Sequence, residues 1–172
     1  MFIAHIPSGY IFSSILVERI RNLPASASAV VVSGVIGALA PDLDMAYFYL
    51  IDHHQTHHHR YFSHWPIIWL ILLIASAVWL LLSRASKRAF LCLVFCLGCL
   101  LHLGLDSFVG DIWWLAPIVN RPYAMFVVPA LFRPWWVNFI LHWSFAVELV
   151  ICIWSLIIYK RRSRANNSTR EK

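Results

Sequence analysis

The chain has 172 residues, of which 60% are hydrophobic and only 13% charged, and its mean hydropathy is +0.69. Soluble domains carry about 25% charged residues, so the composition excludes an ordinary soluble domain and points to a single integral membrane unit. The net charge of +6 does not imply nucleic acid, because Lys160, Arg161, Arg162 and Arg164 directly follow an apolar span, where cytoplasmic anchors sit.

The opening stretch, residues 1–12, has no basic n-region and does not read as a signal peptide. Residues 6–20 are apolar but contain Ser8, Ser13, Ser14 and Glu18, so they either span or lie at the interface. Residues 25–51 read as a helix that ends and restarts at Pro41, interrupted also by Asp42 and Asp44. Residues 65–83 are near the length of about 20 that a bilayer core requires. A tight basic loop with Arg84, Lys87 and Arg88 follows, and residues 89–108 return across the membrane. Cys92, Cys96 and Cys99 form one stripe of that helix, the placement of small packing residues. Residues 115–136 are rich in Pro and aromatics and read as an interfacial or re-entrant loop. Residues 137–159 form a third clear span, and the tail from Ser163 is polar enough to be disordered.

The expected fold is all-α: an integral membrane helical bundle of four or five transmembrane segments. Residues 1–160 form the membrane-embedded domain and residues 161–172 a basic polar cytoplasmic tail. Orientation follows from Lys and Arg. With Arg84 to Arg88 in the cytoplasm, eleven of the fourteen basic residues lie inside, leaving Arg60, Arg121 and Arg133 outside. Trp113, Trp114, Trp135, Trp136 and Trp143 then make an outer aromatic belt.

This topology gathers polar residues on the outer side. His102 and Asp106 are four apart inside an apolar helix, hence on one face. An Asp at membrane depth costs roughly 2.5–3.5 kcal/mol on insertion scales, so such groups usually mark function. His plus carboxylate suits a divalent metal, although a buried His–Asp hydrogen bond would serve structure alone. Asp42 and Asp44 stand at a helix break, where they suit a cation or cap a first turn. His64 is fixed at the start of a helix with Pro66 in its first turn, and with His59 it reads as a ligand. His53, His54, His57 and His58 fit a polar loop at least as well as ligation. Arg60 fits a phosphate or carboxylate oxygen as readily as a headgroup. Glu148, deep in the last span, reads as a ligand, a partner of a ligand or a proton relay.

The order of these blocks carries a resemblance. His5, then Pro41-Asp42-Leu43-Asp44, then His59-Arg60-Tyr61-Phe62-Ser63-His64, then His102-Leu103-Gly104-Leu105-Asp106 is similar to the LexA-regulated, membrane-bound metal-dependent hydrolase family, the YdjM-like proteins. The likeness covers roughly residues 1–117. Met45, Tyr61, Ser63 and Val109-Gly110-Asp111 depart from the family pattern. The family resembles all-helical zinc-dependent phospholipases C in motif style, which implies a phosphoester substrate. A bacterial inner (plasma) membrane protein is expected, its C-terminus cytoplasmic by the Lys and Arg distribution. One or two divalent ions are expected on His5, Asp42, Asp44, His59, His64, His102 and Asp106, with Zn first by the His/Asp mixture and Mn or Mg next. Asp42 or Glu148 would act as general base, with Arg60 also in the catalytic set. The expected partners are membrane lipid and a lipid or phosphoester substrate, with no nucleic acid. The alternative is a divalent-metal carrier or a metal-binding membrane protein without catalysis.

Overall fold

The computed structural model describes residues 3–84, 86–134 and 136–170, the last five without their side chains. Met1, the belt residue Trp135 and the tail residues Glu171 and Lys172 lie outside the described residues. Among the described residues seven α-helices follow in chain order: α1 (His5–Arg19), α2 (Ala27–Leu39), α3 (Asp44–Leu50), α4 (Pro66–Leu82), α5 (Lys87–Val109), α6 (Trp136–Leu141) and α7 (Ser144–Arg170). Among the described residues the only pairing of strand type is an isolated bridge between Ile112 and Tyr123.

The helix break falls where the sequence puts it. Ser26 caps α2, its hydroxyl accepting from the Ala29 amide at 3.3 Å. At the other end Pro41 has no N–H for an α-helical bond, and the chain tightens into a 3-10 turn, Ala40–Leu43, before α3 begins. Two further short turns, His58–Arg60 and Phe62–His64, carry the histidine tract to α4. Pro66 occupies the first position of α4, where its fixed φ suits a helix start.

Residues 137–159 are not one helix. Asn138 accepts from the Leu131 and Phe132 amides (2.9 and 2.7 Å) and donates to the Phe132 carbonyl at 2.9 Å. His142 Nδ1 lies 2.8 Å from the Ser144 hydroxyl. These local polar bonds compete with the helical ladder and separate α6 from α7. The tail expected to be disordered instead continues α7 to Arg170, with Lys160, Arg161, Arg162 and Arg164 inside the helix.

By length and composition two helical stretches suffice to cross a membrane: Ala27–Leu50 and Lys87–Val109. Pro66–Leu82 is apolar but shorter. Among the described residues, two of the expected four or five crossings are met by this measure.

α2 packs against both α1 and α5, α4 lies on α5, and α7 on α1. Val30, Phe90 and Val94 form the buried core at one end, covered by Phe12, Leu16 and Leu80. Glycines bring the backbones together. A Cβ at Gly98 would fall 2.7 Å from the Gly34 carbonyl oxygen, and one at Gly37 would meet the Phe95 backbone closer still. Backbone cannot swing aside as a side-chain tip can. Gly37→Ala should therefore destabilise the α2–α5 pair by about 2 kcal/mol, in the range of overpacked cores. Thermal unfolding in detergent measures this, and an unchanged melting temperature would refute the close approach.

Candidate metal centre

The functional residues meet where α1 begins, α2 breaks and α5 nears its end. Asp106 is 2% exposed and faces four histidines. Its Oδ1 lies 3.1 Å from His5 Nε2. Its Oδ2 lies 2.9 Å from His102 Nε2, 3.6 Å from His59 Nε2 and 3.9 Å from His64 Nε2. Asp42 Oδ1 completes the ring, 3.5 Å from His102 Nε2 and 3.7 Å from His64 Nε2. Asp42, His64, His102 and Asp106 each offer one donor atom, and these four atoms lie within 4.8 Å of one another. His58, His59 and His64 form a second such group.

The histidine tautomers carry more information than the distances. His102 Nδ1 lies 2.8 Å from the Ala38 carbonyl, which can only accept, so Nδ1 holds the proton. His59 Nδ1 stands likewise 3.0 Å from the Asp111 carbonyl. His64 Nδ1 donates to Asp44 Oδ2 at 2.7 Å. Each imidazole is thus pinned from behind and turns its Nε2 toward Asp106, where the neutral ring presents a lone pair. The Nε2 atoms of His64 and His102 are buried with no hydrogen-bond partner among the described residues. Lone pairs and carboxylates facing one another call for a cation between them. A divalent ion with its ligands oriented by outer hydrogen bonds supplies this. It would also relieve the repulsion between Asp42 and Asp106. The donor set therefore fits a divalent metal.

Burial pushes the His58 imidazole down to about 4, with the His64 and His57 rings adding to the effect. Burial likewise holds His59 well below the usual histidine value. Both are neutral at pH 7, the form that binds metals.

The sequence-derived residues separate into three sets. His5, Asp42, His59, His64, His102 and Asp106 come together. Asp44 does not join the donor groups but stands behind His64, accepting also from the Ser63 hydroxyl at 2.5 Å. The contacts of its Oδ2 are those of an orienting carboxylate. Glu148 and Arg60 lie elsewhere. Glu148 Oε2 accepts from the amides of Ile3 and Ala4, at 2.6 and 3.1 Å, and so anchors the start of the helix that carries His5. An exposed α1 start would leave these amides to water. Here Glu148 is 1% exposed, and its charge meets the positive end of the dipole. Arg60 is exposed, sits over the Trp113 ring at 5.7 Å and lines a separate, smaller pocket with Trp65 and Asn120.

The anchoring by Glu148 has a testable consequence. Glu148→Gln should keep both the fold and the metal, because the amide oxygen still accepts. Glu148→Ala should cost about 1–3 kcal/mol, since it leaves buried donors unmet. Thermal melts of both variants with zinc analysis decide. Loss of metal in the Gln variant at unchanged stability would restore Glu148 to the site.

The cluster opens into a cavity of about 460 Å³. Asp42, His57, His58, His59, Asp106 and Asp111 form its polar side, and Met45, Phe126, Val127 and Phe139 are among its apolar residues. The loop after α5 builds that apolar wall. Its Met125 and Phe126 amides donate to the Ser107 and Phe108 carbonyls, at 2.7 and 3.0 Å, near the end of α5. At Gly110 a Cβ would press on the His59 ring, 3.0 Å from Cε1. This wall escaped sequence reasoning, because a Pro-rich aromatic loop carries no periodic signal; His58, which the sequence left open between polar loop and ligand, stands with His59 and His64.

The fold and the centre define a class: an all-helical protein with two helices apolar enough to span a membrane and a His/Asp cluster able to hold a metal ion. The chain belongs to the YdjM inner membrane protein family, whose model matches residues 1–165, well past the part that carries the motifs. No curated relative and no solved structure matches it.

Proposed function

We propose that this protein is a membrane-bound, metal-dependent hydrolase acting on a lipid-like phosphoester at the outer membrane face. The observation that carries the reading is the set of three pinned histidines and two carboxylates opening into a half-apolar cavity. A bound divalent ion, zinc by the His/Asp mixture, would lower the pKa of a water toward about 7 and polarise a phosphoryl oxygen. His64 and His102, with Asp106, would hold it. Asp42 is the general-base candidate, because its side chain is 31% exposed and lines the cavity while Asp106 is buried. The apolar wall of Phe126, Val127 and Phe139 would receive acyl chains and exclude water from the reacting end.

The test is turnover of phosphoester and acyl-ester lipids by purified protein, with and without a chelator. Hydrolysis that stops on chelation and returns with zinc supports the reading. Metal-loaded protein that hydrolyses neither yet carries zinc across liposomes would replace it with the carrier. A carrier needs polar groups on both sides of its site. Below His102, however, α5 buries Cys99, Cys96 and Val94, which favours a static centre.

The proposed topology has five crossings if α1 spans and four if it does not, with the histidine tract outside and the C-terminus cytoplasmic. Cysteines placed at Gln55 and Ser86 in a cysteine-free background report it. In intact cells an impermeant reagent should label position 55 and spare position 86; the reverse would invert the orientation.

A further inference from the structure

We infer that the centre holds two divalent ions: one in a closed subsite of Asp42, His64, His102 and Asp106, the other in a cavity-facing subsite of His58, His59 and the shared Asp106. This rests on the metal reading above and extends it to a residue, His58, that belongs to none of the sequence motifs.

Counting donors carries the first step. A tetrahedral ion with bonds of about 2.0–2.2 Å places its donors about 3.4 Å apart. The contacts that Asp42 and Asp106 make with His64 and His102 run from 2.9 to 3.9 Å. Four protein donors therefore fill that subsite and leave no open position. His59 and His58 remain beyond it, and both line the cavity.

The second step concerns the shared residue. The group of His58, His59 and His64 is as compact as the first, its donor atoms again within 4.8 Å of one another. His64 cannot serve both. Its Nδ1 is engaged by Asp44, and its Nε2 has a single lone pair, directed at the first subsite. A carboxylate has lone pairs enough for two ions. Asp106 Oδ2 lies 3.6 Å from His59 Nε2, within the span of donors on one ion. Asp106 is thus the bridge, and the two ions it joins would lie about 3.5–4 Å apart, as is usual in two-metal sites. The His58 and His59 rings are close, 4.0 Å between centroids.

The two subsites differ in kind. The first has four protein ligands, the pattern of a structural ion. The second has three and faces the cavity, the pattern of an ion that keeps a place for water or substrate. Under this assignment the cavity-facing ion, in place of the one held by His64 and His102, would supply the Lewis acid, Asp42 would be a ligand and no longer the general base, and the buried ion would tie the turn after α2 to α5 through Asp42 and His102.

Zinc titration of full-length, detergent-solubilised protein, stripped by chelator beforehand, tests the inference. Two zinc ions per chain are expected in the wild type and one in His58→Ala. His54→Ala should keep two, since His54 packs on Phe48 and Tyr49. Manganese loading gives a second readout by electron paramagnetic resonance. The wild type should show an exchange-coupled pair, and His58→Ala an isolated ion. A wild-type stoichiometry of one overturns the second subsite while leaving the metal reading intact. A stoichiometry of zero overturns both. Two ions without manganese coupling overturn the Asp106 bridge. A His58→Ala protein that keeps two ions also overturns the assignment. If that variant fails to fold, the wild-type count and coupling decide by themselves.

Discussion

Asp106→Asn is expected to weaken zinc binding by more than about 100-fold, beyond the 10–100-fold typical of losing a ligand's outer partner. The substitution keeps the shape of the side chain and removes only its charge and its capacity to bridge. Asp106 is the carboxylate that faces His5, His59, His64 and His102 together. Without it, neutral imidazoles and the half-exposed Asp42 remain, too little charge to draw a divalent ion out of water. Competition against a chelating dye measures the affinity, and circular dichroism checks that the helices persist. Wild-type affinity in a folded Asp106→Asn protein would show that the ion, if any, sits elsewhere.

The central position of Asp106 was legible in part from the sequence. A His and an Asp four apart in an apolar helix must share a face, and that spacing alone joins His102 to Asp106. The break at Pro41 was legible for the same kind of reason, since a missing N–H is a local fact. The convergence of His5, the Asp42 turn, the histidine tract and α5 also followed from assigning sides by Lys and Arg. What stayed hidden depends on which way a side chain turns. Asp42 and Asp44 flank one residue in a helix break and look alike in sequence. Only the path of the 3-10 turn sends Asp42 to the centre and Asp44 to the back of His64. Glu148 deep in an apolar span reads as functional because an ionised group there is costly. Its compensation is the pair of amides at the start of α1, which no spacing within α7 could reveal. The split between α6 and α7 escaped because the apolar run continues through it. The bonds of Asn138 and His142 that interrupt the helix are made to the loop and to Ser144.

Asp44 offers the sharpest test of that division between ligand and support. Asp44→Ala should lower zinc affinity by about 10–100-fold, the usual cost of removing a carboxylate behind a metal-binding histidine. The bond that is lost is the 2.7 Å contact with His64 Nδ1, which fixes both the ring and the tautomer. Freed of it, the His64 proton can move to Nε2, where it blocks the lone pair meant for the ion. Asp44→Asn should suffer less, because its amide oxygen still accepts from Nδ1–H, although without the charge that raises the basicity of the ring. The expected order of affinity is wild type, then Asn, then Ala, with both variants above Asp106→Asn. A direct ligand would behave otherwise, since Asn and Ala would then both fall to the level of Asp106→Asn. Measured by the same dye competition, that outcome would return Asp44 to the coordination sphere. The intermediate ranking would establish Asp44 as the group that aims His64.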